Sequence, residues 1–173
     1  MAHLSITLFG PFQVELDGKE VTVFKSNKVR GLLAYLAVES QRVHRRDSLA
    51  TLLWPDWTDK EARNNLRYAL SDLRSAIGDR EADPPFLTIS RETIQFNTDS
   101  DHTVDVGEFI KLLSAIGTSS QDIGRLEKAL KHCQGEFLEG FTNSDSQPFQ
   151  EWVLLKREHL QRSLVDALRQ LSA

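Results

Sequence analysis

The sequence predicts an α+β fold, with antiparallel strands and three helices in about its first hundred residues and an all-α remainder. Three observations carry this. Short runs of alternating apolar and polar residues surround the turn signals Gly10-Pro11 and Asp17-Gly18, and recur at FLTIS and TIQFN. Between them, apolar residues repeat at steps of three and four, the helical period. Beyond about residue 103 only the helical period remains.

In order, Leu4 to Phe9, Phe12 to Leu16 and Glu20 to Phe24 read as three short strands, the last two joined by the Asp17-Gly18 hairpin turn. Ser26 caps a helix whose core face is Val29, Leu32, Leu33, Leu36 and Ala37, and Gly31 within it allows close packing. A second helix, about Arg46 to Trp54, buries Leu49, Leu52 and Leu53 and stops at Pro55, with Trp54 and Trp57 read as packing residues on either side of that break. The third runs from Thr58 to Gly78. Thr58 and Glu61 have the spacing of a capping box, and Gly78 takes the left-handed conformation that ends the helix. After a polar loop from Gly78 to Pro85, the two strands of FLTIS and TIQFN pair across Arg91-Glu92, with Leu87, Ile89, Ile94 and Phe96 on one face. Strands, three helices and a hairpin, in that order, describe a winged helix-turn-helix, whose third helix lies in a major groove while the hairpin tip touches the backbone or minor groove.

The third helix has two faces of opposite character. Ala62, Leu66, Ala69, Leu70, Leu73 and Ile77 form its core stripe. Opposite them stand Lys60, Arg63, Asn64, Arg67, Ser71 and Arg74, a cationic row with no acid in it, while Glu61, Asn65, Tyr68 and Asp72 fall on a shoulder. Lys and Arg neutralise phosphates, and Arg and Asn pair with base edges, so double-stranded DNA is the partner this row suits. A solvated face is the plainer reading of such a stripe taken alone. Arg91, at the hairpin tip, is placed either to enter a minor groove as a wing residue or to sit solvated on its turn, and the residues do not choose. Arg45 and Arg46 begin the second helix, where phosphate positioning and simple solvation are the two options.

Charge is distributed to match. The net charge is −4, against a general nucleic-acid binder, yet residues 25–74 hold ten Lys or Arg and six Asp or Glu, while residues 1–24 and 75–104 are net acidic. A basic middle framed by acidic edges aims one surface at phosphate with modest attraction, so weak binding by a single copy is expected. The chain lacks a long apolar run or the layout of a signal peptide, and it reads as soluble and cytoplasmic with no membrane contact. One cysteine, Cys133, lies in helical phase with Ile123, Leu126 and Leu130 and reads as a buried hydrophobe. The five histidines have no metal spacing, and the sequence contains neither a Gly-rich phosphate loop nor a nucleophile elbow, so neither a cofactor nor an enzyme is expected. Asn97, Asp99, Asp101 and Glu108 fall at calcium-loop spacing, but His102 stands where that loop requires Gly; Asp105 and Glu108 read better as the cap and first-turn acid of the next helix.

From about Asp105, three helices are expected: one burying Val106, Phe109, Ile110 and Leu113, one burying Ile123, Leu126, Leu130 and Cys133, and one burying Phe149, Trp152, Val153, Leu160, Leu164 and Leu168. Phe137, Leu138 and Phe141, in the loop before the last, read as plugs between helices.

The segments LFGPFQVELDG, KVRGLLAYLAV, HRRDSLATLLWPD, EARNNLRYALSDLRSAIG and FLTISRETIQFN, taken together, resemble the OmpR/PhoB-type winged-helix domain of the SARP (antibiotic regulatory protein) class of bacterial transcription activators. DVGEFIKLL, LEKALKHCQGEFLEGF and FQEWVLLKREHLQRSLVDALRQL resemble the TPR-like bacterial transcriptional activation domain that follows it in that class. The resemblance implies a winged-helix DNA-binding domain over residues 1–102 and a helical activation module over 103–173. It puts DNA contact on Lys60, Arg63, Asn64, Arg67, Ser71 and Arg74, with Asn64 and Arg67 reading bases and Arg63 and Arg74 gripping phosphate. It also implies RNA polymerase as a partner and dimerisation on tandem operator repeats. Two features depart from the class. The position of Asn64-Asn65 often reads Asn-Ser, which leaves base preference open, and the activation module usually continues into more helices, so Ala173 is read as ending a partial or unusually short one. The alternative is a protein-interaction adaptor, in which the third helix packs against another protein and the helical half grips a peptide.

Overall fold

A computed structural model describes residues 2–117, 120–143 and 145–172. Strands β1 (Leu4–Thr7), β2 (Gln13–Leu16) and β3 (Lys19–Glu20) form an antiparallel meander, with Leu4 opposite Leu16 and Ile6 opposite Val14. Leu4, Ile6 and Val14 point inward, as the alternation requires. The third strand is shorter than expected: it ends at Glu20, Val23 is exposed, and Phe24 turns in against Phe12.

Helix α1 (Asn27–Val38) starts on Ser26, whose hydroxyl accepts the Val29 N–H. Strand β4 (His44–Arg45) leads into α2 (Arg46–Leu53), and α3 (Asp59–Ala76) follows the Pro55 break. The α3 capping box is complete: Glu61 N–H donates to Thr58 Oγ1 at 3.2 Å and Thr58 N–H to the Glu61 carboxylate at 3.3 Å. Gly78 closes the helix in the left-handed region with φ of 64°. Trp54 is buried, but Trp57 is not the packing residue expected; it is 52% exposed just before α3.

Strands β5 (Leu87–Ile89) and β6 (Thr93–Phe96) form the wing hairpin, with Leu87 opposite Phe96 and Ile89 opposite Ile94. β4 adds to β6, giving a three-stranded wing sheet in the order β4-β6-β5. β7 (His102–Val104) runs parallel to β1 and completes a four-stranded sheet in the order β3-β2-β1-β7. The expected boundary at residues 102 and 103 therefore falls inside a strand of the first sheet.

The helical half comprises, among the described residues, α4 (Asp105–Ser114), α5 (Asp122–His132) and α6 (Gln147–Ser172). Val106, Phe109 and Leu113 are buried in α4 as expected, whereas Ile110 is partly exposed. On α5 the expected core face is rotated. Ile123 and Leu130 face out at 65% and 44% exposure, while Asp122 and Ala129 are buried. The cause is Asp122, whose carboxylate accepts the Gly117 N–H and pairs with Arg125 at 2.9 Å, so this satisfied acid occupies the inner face with the small Ala129 beside it. Leu168 of α6 is likewise exposed, while Phe149, Val153 and Leu160 are buried. Cys133 is half-buried on a cavity of about 80 Å³ lined by Phe9, Phe109 and Phe137. Burial pushes its thiol up, and the Asp105 charge adds to this.

The two halves share a core. Phe9 packs edge-on against Phe109 at 5.1 Å and bridges to Phe137, and Phe137 and Leu138 plug the junction as expected. Asp105 does not cap α4, contrary to the expectation from the sequence. Its carboxylate reaches the segment just past β1, where it accepts the N–H groups of Leu8 and Phe9, each at 2.9 Å. The acids at calcium spacing belong to a turn instead: Asn97 Oδ1 accepts the Asp99 N–H, and His102 enters β7.

Candidate nucleic-acid interface

The core stripe of α3 is buried as its periodicity predicts: Leu66 and Leu73 are 1% and 0% exposed, and Ala62, Ala69 and Leu70 line up with them. Anchoring that face against α1 and α2 turns the opposite one to solvent. Lys60, Arg63, Asn64, Arg67 and Ser71 are all exposed, along one side of an 18-residue helix. From Lys60 to Ser71 the row spans roughly 16 Å at 1.5 Å per residue. That is about the axial length of five base pairs, and a major groove about 12 Å wide admits a helix.

Two neighbours shape the row. The Arg63 guanidinium lies 3.7 Å from the Asp47 carboxylate of α2, an exposed pair that is easily exchanged for phosphate. The Arg67 guanidinium sits over the Tyr68 ring at 5.3 Å. Tyr68 is 63% exposed, and the sequence marked it only as a shoulder residue.

Arg74 departs from the row. Its Nε donates to the Asp79 carboxylate at 2.9 Å, and Asp79, fully buried, also accepts the Leu87 N–H at 3.0 Å. Arg74, expected to grip phosphate, makes an internal ion pair that ties the end of α3 to Asp79, because a buried carboxylate needs a charged partner. Asp79, in a polar loop, carries no local sign of this role; its partners lie five and eight residues away, in α3 and β5.

The wing places the remaining arginines differently from one another. Arg91 is exposed at the tip of the β5–β6 hairpin. Arg45 is exposed at the end of β4, opposite Thr93, and precedes α2 rather than lying in it. Arg46 is partly buried, and its Nε and Nη2 donate to the Ser90 carbonyl at 3.2 and 2.8 Å. A guanidinium directed at a carbonyl in this way is not the simply solvated cation that was one of the two options read from the sequence, the other being phosphate positioning. The structure thus gathers Lys60, Arg63, Asn64, Arg67 and Ser71 on one helix face and Arg91 on the wing tip, and it sets Arg74 and Arg46 into the frame. Among the described residues, no group of His, Cys, Asp and Glu is arranged to hold a metal, and no helix is long and apolar enough to cross a membrane.

A meander, three helices with an exposed cationic third, and a hairpin, followed by a helical module, define an α+β protein of the winged helix-turn-helix class. No family model matches the chain. Over 130 residues, 75% of its length, it is 31% identical to the transcriptional regulatory protein EmbR of Mycobacterium bovis, and the same values hold for EmbR of Mycobacterium tuberculosis. These residues make up 33% of EmbR, so the chain spans about a third of the length of the curated relatives it matches. The solved structure of Mycobacterium tuberculosis EmbR in complex with a low-affinity phosphopeptide matches with a TM-score of 0.74 at 25% identity, covering 96% of this chain and 46% of that one. The chain is homologous to EmbR, and the homology supports its assignment to the SARP class of regulators.

Proposed function

We propose that the chain is a DNA-binding transcription regulator that lays α3 in a major groove and touches the flanking backbone or minor groove with Arg91. The observation that carries the reading is the outward row of Lys60, Arg63, Asn64, Arg67 and Ser71 on a helix whose other face is buried. Asn64 and Arg67 read bases, Lys60 and Arg63 hold phosphates, and Ser71 adds a short polar contact. Homology to a transcriptional regulatory protein supports the same conclusion. RNA polymerase and a second copy on DNA are the partners proposed for the helical half. The net charge of −4 keeps a single copy weak, and two linked copies gain by effective concentration.

Fluorescence anisotropy with a mixed-sequence duplex tests this. Affinity is expected to fall steeply with salt, since each phosphate contact contributes a slope of about −0.9 in log K against log salt. Arg67→Ala is expected to weaken binding about five- to tenfold, the equivalent of roughly 1–1.4 kcal/mol. Salt-independent behaviour, with no change on mutation, hands the case to the adaptor reading.

A further inference from the structure

Resting on that reading, we propose that Arg46 is a positioning residue: it acts on DNA through the wing, holding the hairpin tip so that Arg91 rather than Arg46 meets the nucleic acid. Three donors from this one residue converge on the tip. Its side chain places Nε and Nη2 on the Ser90 carbonyl at 3.2 and 2.8 Å, and its backbone N–H donates to the Glu92 carbonyl at 2.9 Å. The two acceptors are the residues on either side of Arg91.

The tip is closed on its other side by Ser90 and Thr93. Ser90 N–H donates to the Thr93 carbonyl at 2.9 Å, Thr93 N–H donates to Ser90 Oγ at 2.9 Å, and the two hydroxyls lie 2.6 Å apart. Arg91 is therefore an exposed side chain on a turn whose flanking carbonyls are both fastened to the start of α2. A two-stranded hairpin is marginal by itself, so its angle to the helices has to be set from outside. β4 does part of this through its pairing with β6, and Arg46, the next residue along the chain, extends the attachment to the tip itself. The planar fork suits the task, because two N–H groups on one oxygen fix the guanidinium plane, which a lysine ammonium cannot do.

The choice of substitution separates the brace from a phosphate contact. Arg46→Lys keeps the charge and removes the fork. If Arg46 braces the wing, Arg46→Lys and Arg46→Gln lower duplex affinity about as much as Arg91→Ala, some three- to tenfold, and adding Arg46→Lys to Arg91→Ala costs nothing more. If instead it grips phosphate, Arg46→Lys binds like the wild type, Arg46→Gln and Arg91→Ala multiply, and each lowers the salt slope by about 0.9; that pattern overturns the proposal. Amide hydrogen exchange on the free protein gives a second measure. Faster exchange at Ser90 and Thr93 in Arg46→Lys, with the α1 and α3 core amides unchanged, is the expected result, and unchanged exchange at the tip overturns the brace without reference to DNA. Wild-type protein that binds no duplex, together with faster tip exchange in Arg46→Lys, rejects the DNA reading and the action of Arg46 on DNA while leaving the mechanical attachment measured.

Discussion

Gly31 lies where the first three helices meet the helical half. A Cβ built there would stand 2.5 Å from Asn143 Nδ2 and 3.2 Å from the Phe149 ring, and both neighbours are buried. Gly31→Ala is expected to destabilise the protein by about 1–3 kcal/mol, the usual range for an overpacked site, read as a lower urea midpoint with an unchanged m-value. The sequence showed that a glycine inside an amphipathic helix allows close approach. It did not show what approaches, because Asn143 and Phe149 are more than a hundred residues further along. Asp105 shows the same division. A cap is the natural reading of an acid at a helix start, yet its carboxylate takes the amides of Leu8 and Phe9 just past β1, where burial raises its pKa against the pull of those N–H donors.

Between elements, the end of α1 is held to α6 by one acid. Glu39 accepts the Trp152 indole N–H at 3.0 Å and pairs with Lys156 at 3.1 Å. Burial pushes its carboxyl up, but the indole hydrogen bond and the lysine outweigh burial and hold it below the ordinary glutamate value. A depressed folded value adds stability above the unfolded one, and that stability is lost as pH falls through the folded value. Glu39→Gln is therefore expected to cost about 1–3 kcal/mol at neutral pH, and the gap between variant and wild type should close under acid, in urea titrations run at several pH values. A constant gap from neutral to acid argues against the ion pair as its source. Periodicity located α5 but not its orientation, since Ile123–Leu126–Leu130 and Asp122–Leu126–Ala129 have the same helical spacing. The choice went to the face where Asp122 finds both an amide and Arg125.

At the scale of the molecule, β7 belongs to the first sheet by pairing and leads into the first helix of the second half. Phe9 with Phe109, Gly31 with Phe149 and Glu39 with Trp152 and Lys156 join the halves at three further places. Shared packing of this kind predicts a single cooperative unfolding transition, with tryptophan fluorescence and far-ultraviolet circular dichroism coinciding in urea; two separated transitions would count against it. It also predicts that a fragment ending at residue 101, which lacks β7, is less stable than the whole chain.

The helices, the capping box of α3, the wing hairpin and the cationic row from Lys60 to Ser71 were determined by the sequence alone, whereas β4 and β7 were not read from it. Each feature so determined depends on groups within a few residues of one another, where spacing and backbone chemistry leave few choices. The tertiary structure alone decided which cations stay free. Arg46 meets Ser90 across 44 residues, and Arg74 is held by a buried acid that also takes the Leu87 N–H of β5. Desolvation decides such pairings, and it exists only once distant segments have come together.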